Sequence, residues 1–472
     1  MIMCKTNPGR ARQPARSVSL SRALSLTLSV SVCSFFAFGS DFQFQDAPLP
    51  FEAMEMVMAH VQRNPGRYGF KLIYSTPEDY FAAIGAPGFH SNGEDEDWPT
   101  FNDDLLPAAF SAHYIRSGFY TSRPASKASD RAAWAAGHAA KALEVLLRAE
   151  RVNAVGVDPL ASAIAGIDAS VGVHQHHDGL TGTDLEYVAL NYANMIANAT
   201  AALAPASAAA ATRVAGLGDQ AASAAAGCPE RNVSVCPATE RALQEDNGQI
   251  EAVLFNPLAH SRTEVVSIPV PVATVEAVDS VATDRKRDQS ESMLPLEYEV
   301  HPSIMAATDG GLPFTLFVAI PLQPFETRAV TIRRTSTAKN LVRGDVVAPK
   351  TSGVISLSVP TGASAAVDSM TGSLVSIADQ PVNCSLEYYV PAPGTNRTSG
   401  WQAANPCSTA YGFRPMPGVP RKPYDRSPDS VVTVYKGKIV QQTHTVVNAA
   451  AGVELAVRVS AGDASVQVGQ PF

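Results

Sequence analysis

Near Glu251 the period of the hydrophobic pattern changes, and no single layer of secondary structure accommodates both halves of the chain. Upstream, across 112–204, apolar residues recur every three or four positions, the repeat that lines one face of a helix. Downstream they come in short β-branched or aromatic runs. These are Val253-Leu254-Phe255, Val265-Val266-Ser267-Ile268, Phe314-Thr315-Leu316-Phe317-Val318, Ala329-Val330-Thr331-Ile332, 354–359, 431–435 and 453–459. Pro, Gly, Asp and Asn punctuate them, the texture of sandwich-like sheets. A length of 472 residues holds more than one domain, and a hydrophobic content of 46% permits packed cores. The expected fold class is therefore multidomain α+β: the end of an α/β domain over 35–111, a three-helix bundle over 112–204, an Ala-rich connection and cysteine loop over 205–248, and antiparallel β-sandwich over 249–472.

The first segment, 1–34, stands apart. Arg10, Arg12, Arg16 and Arg22 precede an uncharged stretch over 23–40, a pattern shared with signal peptides and anchors. Its many serines argue against a stable membrane helix. From Phe35 to about Ala83 the pattern reads β-α-β-α. Phe51, Met54, Met58 and Val61 mark an amphipathic helix, Asn64-Pro65-Gly66 stops it, and 70–74 is strand-like. Thr76 can cap the next helix, with Pro77 at its first position and Glu78 and Asp79 at the positive end of its dipole. Asp41 follows the first apolar run, where open α/β sheets place active sites, although by itself it reads more readily as a helix-entry or turn aspartate. The acidic stretch 90–104 lacks an EF-hand spacing and reads as a solvated loop.

Helices are expected over 129–151, 159–169 and 184–203, with Trp134, Ala142, Val145 and Leu146 available for one face of the first. The alanine-rich run 199–226 reads as a helix end followed by a flexible connection. Between the second and third helices lies His174-Gln175-His176-His177-Asp178-Gly179-Leu180-Thr181-Gly182-Thr183. Imidazole is a common metal ligand and the carboxylate is a hard oxygen donor or hydrogen-bond acceptor. Thr183 and Glu186 have capping-box spacing, so the cluster should occupy a loop running into a helix N-terminus, with Leu185, Val188, Ala189, Tyr192 and Ile196 marking that helix. A polar loop with hydrogen-bonded histidines is the competing reading. No second His or Cys cluster lies nearby at zinc-ligand spacing, so a complete metal site would draw ligands from distant parts of the chain.

The net charge of −8 leaves no basic footprint for nucleic acid. Of the six cysteines, Cys228 and Cys236 flank a short loop carrying the sequon Asn232-Val233-Ser234, and further sequons start at Asn198, Asn383 and Asn396. Such an arrangement points to an oxidising secretory route, with a pair of free buried thiols as the alternative.

The histidine cluster resembles the QHHDAVSGT signature of the zinc-dependent α-mannosidases of glycoside hydrolase family 38, in their lysosomal and Golgi members. Three more stretches follow in the family's order: Gly39-Ser40-Asp41-Phe42-Gln43-Phe44 resembles GSDFxY, Gly118-Phe119-Tyr120-Thr121-Ser122-Arg123-Pro124 resembles GYFTSRP, and 409–415 resembles GAYIFRP. Asn256-Pro257-Leu258 resembles YNPLG at the entry to the family's first sandwich domain, and 103–107 loosely resembles DDFFPY.

The resemblance implies a catalytic α/β domain, a three-helix domain and β-domains, with a disulfide closing the Cys228/Cys236 loop. It implies that Asp41 is the general acid/base, His177 a zinc ligand, Asp178 a carboxylate that hydrogen-bonds sugar hydroxyls, and Tyr411 a tyrosine that reaches the sugar. The implied substrates are mannose-containing oligosaccharides of glycoproteins, cleaved with retention in the lysosome, vacuole or secretory pathway. The chain also departs from the pattern. No HxD motif lies upstream of Asp41, the family's nucleophilic aspartate has no counterpart, Phe44 replaces a tyrosine, and Gly179-Leu180 replaces Ala-Val. These departures lead to the expectation of a fragment of an active enzyme, with 1–34 lacking a family counterpart. The alternative is a non-catalytic carbohydrate-binding protein that kept the sugar-contacting loops.

Overall fold

The computed structural model describes residues 2–5, 33–39, 44–83, 102, 108–111, 114–149, 157–228, 235–279, 296–304, 312–347, 353–382, 384, 387–390, 410, 412, 414–424, 427, 430–448 and 453–469. The chain divides into two compact units, Met1–Asp103 and Asp104–Phe472. Among the described residues no helix is long and apolar enough to cross a membrane.

The first unit contains β1 (Ile2–Lys5), β2 (Cys33–Phe35), α1 (Pro48–Arg63), α2 (Pro65–Tyr68), β3 (Phe70–Ile73) and α3 (Pro77–Ala83). The sheet order is β2-β1-β3 with both pairings antiparallel, so β2 and β3 run parallel to each other on either side of β1. The central strand, Ile2–Lys5, comes from the segment 1–34 that has no family counterpart. The first strand of the β-α-β-α pattern, expected to begin at Phe35, instead ends there. On α1, Met54 and Val61 are buried as expected, whereas Phe51 lies at the surface against Phe44 and Tyr74, ring centroids 5.7 and 5.9 Å away. The cap at Thr76 forms: its hydroxyl accepts the Asp79 N–H at 3.2 Å, and the Asp79 carboxylate accepts the Thr76 N–H at 3.1 Å. The bond from the Thr76 N–H, and second the bond that the Thr76 hydroxyl donates to the same carboxylate at 2.9 Å, hold the Asp79 carboxyl below its ordinary pKa. The acidic stretch 90–104 lies almost entirely outside the described residues.

The second unit opens with the hairpin of β4 (Ala108–Ser111) and β5 (Tyr114–Arg116) and the single turn α4 (Gly118–Thr121). Three long helices follow: α5 (Pro124–Ala149), α6 (Val157–His174) and α7 (Glu186–Val214). The buried stripe of α5 is Ala133, Gly137, Ala140, Leu143 and Leu147, which packs with Leu160, Ile164, Ile167 and Val171 of α6 and Ile196, Leu203, Ala210 and Ala211 of α7. Its spacing of three and four residues makes one face. Trp134 and Val145, expected on that face, sit one or two positions off the stripe and are 55% and 65% exposed.

The alanine-rich run is helix, not connection, as far as Val214. Alanine is the strongest helix former, and Ala210 and Ala211 bury against the neighbouring helices, so α7 continues beyond the expected end at 203, through Pro205. Short helices α8 (Asp219–Ala224) and α9 (Pro237–Gln244) complete the passage to the sheets. The Cys228–Cys236 disulfide is present, and Asn198 is an exposed position on α7. The other three sequon asparagines lie outside the described residues.

The remaining strands make two sandwiches. The first is built from β6 (Gln249–Phe255), β7 (Arg262–Val270), β8 (Val275–Asp279), β9 (Tyr298–Pro302), β10 (Phe314–Leu322) and β11 (Thr327–Arg334). Its sheets run β7-β10-β9 and β6-β11-β8, every pairing antiparallel, and Leu316, Val318, Ile320, Val330 and Ile332 fill the space between. Val253 and Phe255 of β6 also pack on the helical core. The second sandwich uses β12 (Gly344–Val347), β13 (Val354–Ser358), β14 (Ser364–Asp368), β15 (Leu374–Ile377) and β16 (Gln380–Pro381), with a minor pair β17 (Glu387–Tyr388) and β18 (Lys422–Pro423) beside it. The strands β19 (Val432–Lys436), β20 (Val440–Asn448), β21 (Val453–Ser460) and β22 (Gln467–Gly469) complete it. Sheets β12-β19-β20-β21-β22 and β13-β14-β15-β16 enclose Leu357, Val367, Val432, Val457 and Val459. Antiparallel sheet was expected here. The apolar runs found β6, β7, β10, β11, β13, β19 and β21, and missed shorter or more polar strands such as β9 and β20.

A buried polar chain joins the two sandwiches. Glu299 of β9 accepts the backbone N–H of Lys438, of Ile439 at 3.0 Å and of Val440 at 3.3 Å, in the turn between β19 and β20. His301 Nε2 lies 3.2 Å from Glu299, and its Nδ1 lies 3.4 Å from the Gln442 amide nitrogen. The Gln442 carbonyl accepts Arg458 Nε–H at 2.8 Å, and the Arg458 guanidinium lies 5.1 Å from the Phe317 ring centre. With Nε2–H donating to Glu299, Nδ1 is left to accept from the Gln442 amide. Gly437 is required at the turn, because a β-carbon there would fall 2.0 Å from Glu299 Oε2.

Candidate functional site

The histidine cluster lies between α6 and α7, on the 175–185 turn, with two differences from expectation. His174 is not in the loop but is the last residue of α6, with only 1% of its surface exposed. The capping box does not form: α7 starts at Glu186 after Leu185, with no side-chain cap. Thr183 instead donates to Asp178 Oδ1 at 2.7 Å, and Glu186 accepts from Arg123 at 2.8 Å. Both capping-box side chains are engaged elsewhere, Thr183 within the turn and Glu186 by a residue 63 positions away.

The turn is closed by its own backbone. Gly179 N–H donates to His176 O, Leu180 N–H to His174 O and Gly182 N–H to Gly179 O, each at 2.9 Å, and Asp184 N–H to Asp178 O at 3.1 Å. Gly179 is packed so closely that a β-carbon would meet His174 O at 2.8 Å. Gly182 has φ +71°, the left-handed region that glycine adopts without strain.

The motif over 118–124 interlocks with this turn. Ser122 donates to Gly182 O at 3.2 Å, and Arg123 contacts Asp184 through an ion pair at 3.2 Å. Lys127 Nζ donates to Ser122 O at 2.6 Å and to Leu180 O at 2.7 Å. Burial lowers the Lys127 pKa, only partly opposed by the charge of Asp184. The hydrogen bond to Glu186 raises the Arg123 pKa above its ordinary value, with Asp184 adding to it. Two of the four resembling stretches are thus one structural unit.

Three donors converge on the outer side of the turn. Asp178 Oδ2 lies 3.4 Å from His176 Nε2 and 3.3 Å from His177 Nε2. Ligand atoms of all three residues lie within 4.8 Å of one another. The Thr183 hydroxyl on Oδ1 fixes which carboxylate oxygen faces the imidazoles. A tetrahedral zinc with bonds of about 2.0–2.1 Å separates its ligand atoms by about 3.3–3.4 Å, which the two spacings to Asp178 match. The donor chemistry, two imidazoles and a carboxylate, fits it too. His177 is 84% exposed along its side chain, which leaves room for further ligands or substrate.

Of the residues singled out from the sequence, His177 and Asp178 are brought together. Asp41 and Tyr411 lie outside the described residues. His176 was not singled out, although it stands beside His177 in the same run. Its spacing to Asp178 depends on the turn conformation and could not be read from adjacency.

Comparison with known proteins agrees with the site's surroundings. The family model of the α-mannosidase middle domain matches residues 115–213, which cover β5, α4–α6, the histidine turn and nearly all of α7. The lysosomal α-mannosidase of Dictyostelium discoideum is 29% identical over 248 residues, 52% of this chain and 24% of that protein. The human lysosomal α-mannosidase is 26% identical over 414 residues, 86% of this chain and 37% of that protein. The α-mannosidase of Canavalia ensiformis is 28% identical over 432 residues, 86% of this chain and 40% of that protein. The chain spans well under half the length of these relatives. Residues 115–213 thus match the α-mannosidase middle domain, and the chain is similar to lysosomal α-mannosidases over as much as 86% of its length.

Proposed function

We propose that this chain serves the retaining hydrolysis of terminal α-D-mannosyl residues of N-glycans, as a zinc-dependent glycosidase of glycoprotein breakdown in the lysosome, vacuole or secretory pathway. The observation that supports this reading best is the convergence of His176, His177 and Asp178 on the α6–α7 turn of the matched middle domain. His176 and His177 would hold the ion through neutral imidazole nitrogens. Bound zinc would supply a Lewis acid that grips the sugar's ring hydroxyls. Asp178, oriented by Thr183, would accept hydrogen bonds from those hydroxyls, and Tyr411 would contact the same sugar. Asp41 would protonate the leaving glycosidic oxygen and then take a proton from the incoming water. Retaining hydrolysis uses a pair of carboxylates about 5 Å apart, of which Asp41 supplies one; the nucleophilic partner and the upstream HxD zinc ligands have no counterpart in this sequence, so the chain is read as a fragment lacking part of the active site.

The test is hydrolysis of an aryl α-mannoside by the chain with and without zinc, beside His177→Ala and Asp41→Asn variants. Zinc-dependent turnover lost in both variants supports the assignment. Zinc-independent mannose binding without turnover, unchanged in both variants, replaces it with the carbohydrate-binding reading.

A further inference from the structure

We infer that Asp130 is a positioning residue for the His176–His177 pair, acting through the two residues at the junction of α6 and the turn. Its relevance to metal binding rests on the site reading above, whereas its effect on the shape of the turn does not.

Asp130 lies on the second turn of α5 and is 6% exposed. Its two carboxylate oxygens divide their work. Oδ1 meets His174 Nδ1 at 2.9 Å, and Oδ2 accepts the Gln175 side-chain amide at 2.9 Å. His174 is the last helical residue and Gln175 the first of the turn, so one buried carboxylate pins both sides of the junction from which His176 and His177 emerge. The opposite ring nitrogen of His174, Nε2, lies 3.0 Å from Ser126 Oγ, and Tyr192 stands edge-on to the ring at 5.4 Å between centroids. The imidazole is therefore fixed in position and in rotation, and its own backbone carbonyl accepts the Leu180 N–H that closes the turn.

The pattern along α5 supports a dedicated role. Ser126, Asp130, Ala133, Gly137, Ala140, Leu143 and Leu147 form one continuous stripe at three- and four-residue spacing. Its lower part is apolar and builds the bundle core. Its first two turns are polar, and Ser126, Lys127 and Asp130 there all bond to residues 174–180. A helix that only packed would continue apolar to its end, because burying a carboxylate and an imidazole costs free energy unless both are hydrogen-bonded. Groups that orient metal-bearing side chains from behind typically change metal affinity by about 10–100-fold when removed.

The test uses the full chain, with cobalt(II) as the probe because its visible absorption reports coordination, and with amide hydrogen exchange of residues 176–184 in the metal-free protein. Four variants are compared. Asp130→Ala removes both bonds. Gln175→Ala removes one from the exposed side and keeps the core intact. Asp130→Asn can keep both once the Gln175 amide turns over. Leu147→Ala destabilises the same helix far from the turn. Asp130→Ala and Gln175→Ala are expected to speed exchange across 176–184 and to weaken cobalt binding by about tenfold or more, with Asp130→Asn restoring both. Leu147→Ala should lower thermal stability and leave cobalt affinity and its spectrum unchanged. Exchange and affinity unchanged in Asp130→Ala and Gln175→Ala, or exchange sped and affinity weakened to the same extent by Leu147→Ala, would overturn the inference. If Asp130→Ala does not fold, Gln175→Ala against Asp130→Asn decides. If the wild-type chain takes up no cobalt, the metal reading fails by itself, and the exchange measurement alone decides the role of Asp130.

Discussion

Arg123 and Asp184 meet at 3.2 Å across 61 residues of sequence, and this ion pair locks the turn before α5 onto the turn before α7. The Asp184 side chain is 4% exposed, and Arg123 holds a φ of +51°, a conformation that only surrounding contacts make tolerable for a non-glycine residue. Arg123 also donates to Asp184 O at 3.2 Å, so its guanidinium serves backbone and carboxylate together.

Replacing Arg123 by alanine leaves a buried carboxylate without its cation and keeps the unfavourable φ. The expected loss is about 1–3 kcal/mol, the cost of stranding a buried charged partner. Urea denaturation followed by far-UV circular dichroism checks it. Arg123→Lys should recover only part of the loss, because an ammonium cannot reproduce the planar fork.

Leu147 is fully buried in the helical bundle, among residues of α6 and α7. Leu147→Ala should cost about 2–5 kcal/mol through lost transfer free energy and the cavity left behind. The denaturation midpoint should fall while the slope of the transition stays the same. A loss below half a kcal/mol would mean that the three helices do not share the core seen here.

Glu299 links stability to pH. Burial raises its pKa, but hydrogen bonds from His301 and from the Ile439 and Lys438 N–H groups outweigh that and hold it below the ordinary glutamate value. A folded pKa below the unfolded one gives a stabilisation that is complete above the unfolded pKa and vanishes as pH falls through the folded pKa. Glu299→Gln should therefore lower the melting temperature most above pH 5 or so, by an amount worth about 1–3 kcal/mol, and the difference from wild type should shrink in more acidic buffer. Melting curves across that pH series test the sign. Gly437→Ala, which drives a β-carbon against the same carboxylate, should be at least as damaging at neutral pH.

The Cys228–Cys236 disulfide closes a short loop between α8 and α9. Its removal in Cys228→Ser/Cys236→Ser should cost about 2–3 kcal/mol on loop-closure grounds. On reduction, intact-mass measurement should show the wild type taking up two hydrogen atoms more than the double variant, and the same reduction should lower the melting temperature of the wild type further than that of the variant.

What was legible in the sequence follows from short-range physics. The switch from helical to β texture near Glu251 and the cap at Thr76 depend on neighbours within a few residues, and each identified an element correctly; the run 174–183 marked a turn, apart from His174, which belongs to the helix before it. The placement of His177 beside Asp178 belongs to the same class, since a tight turn keeps adjacent side chains close. What only the tertiary structure decided involves residues that sequence distance separates. Thr183 and Glu186 have capping spacing, yet Asp178 and Arg123 took them, because a hydrogen bond within a packed turn outcompetes one at a solvated helix end. Trp134 has helical spacing, yet the buried stripe runs through Ala133 and Gly137, because small residues let α5 and α6 approach closely. The strand β9 is short and carries Glu299 and His301, so no apolar run announced it. Its buried polar side chains are stable only because the β19–β20 turn, far along the chain, supplies their partners, and a local pattern carries no information about a partner that folding alone brings near.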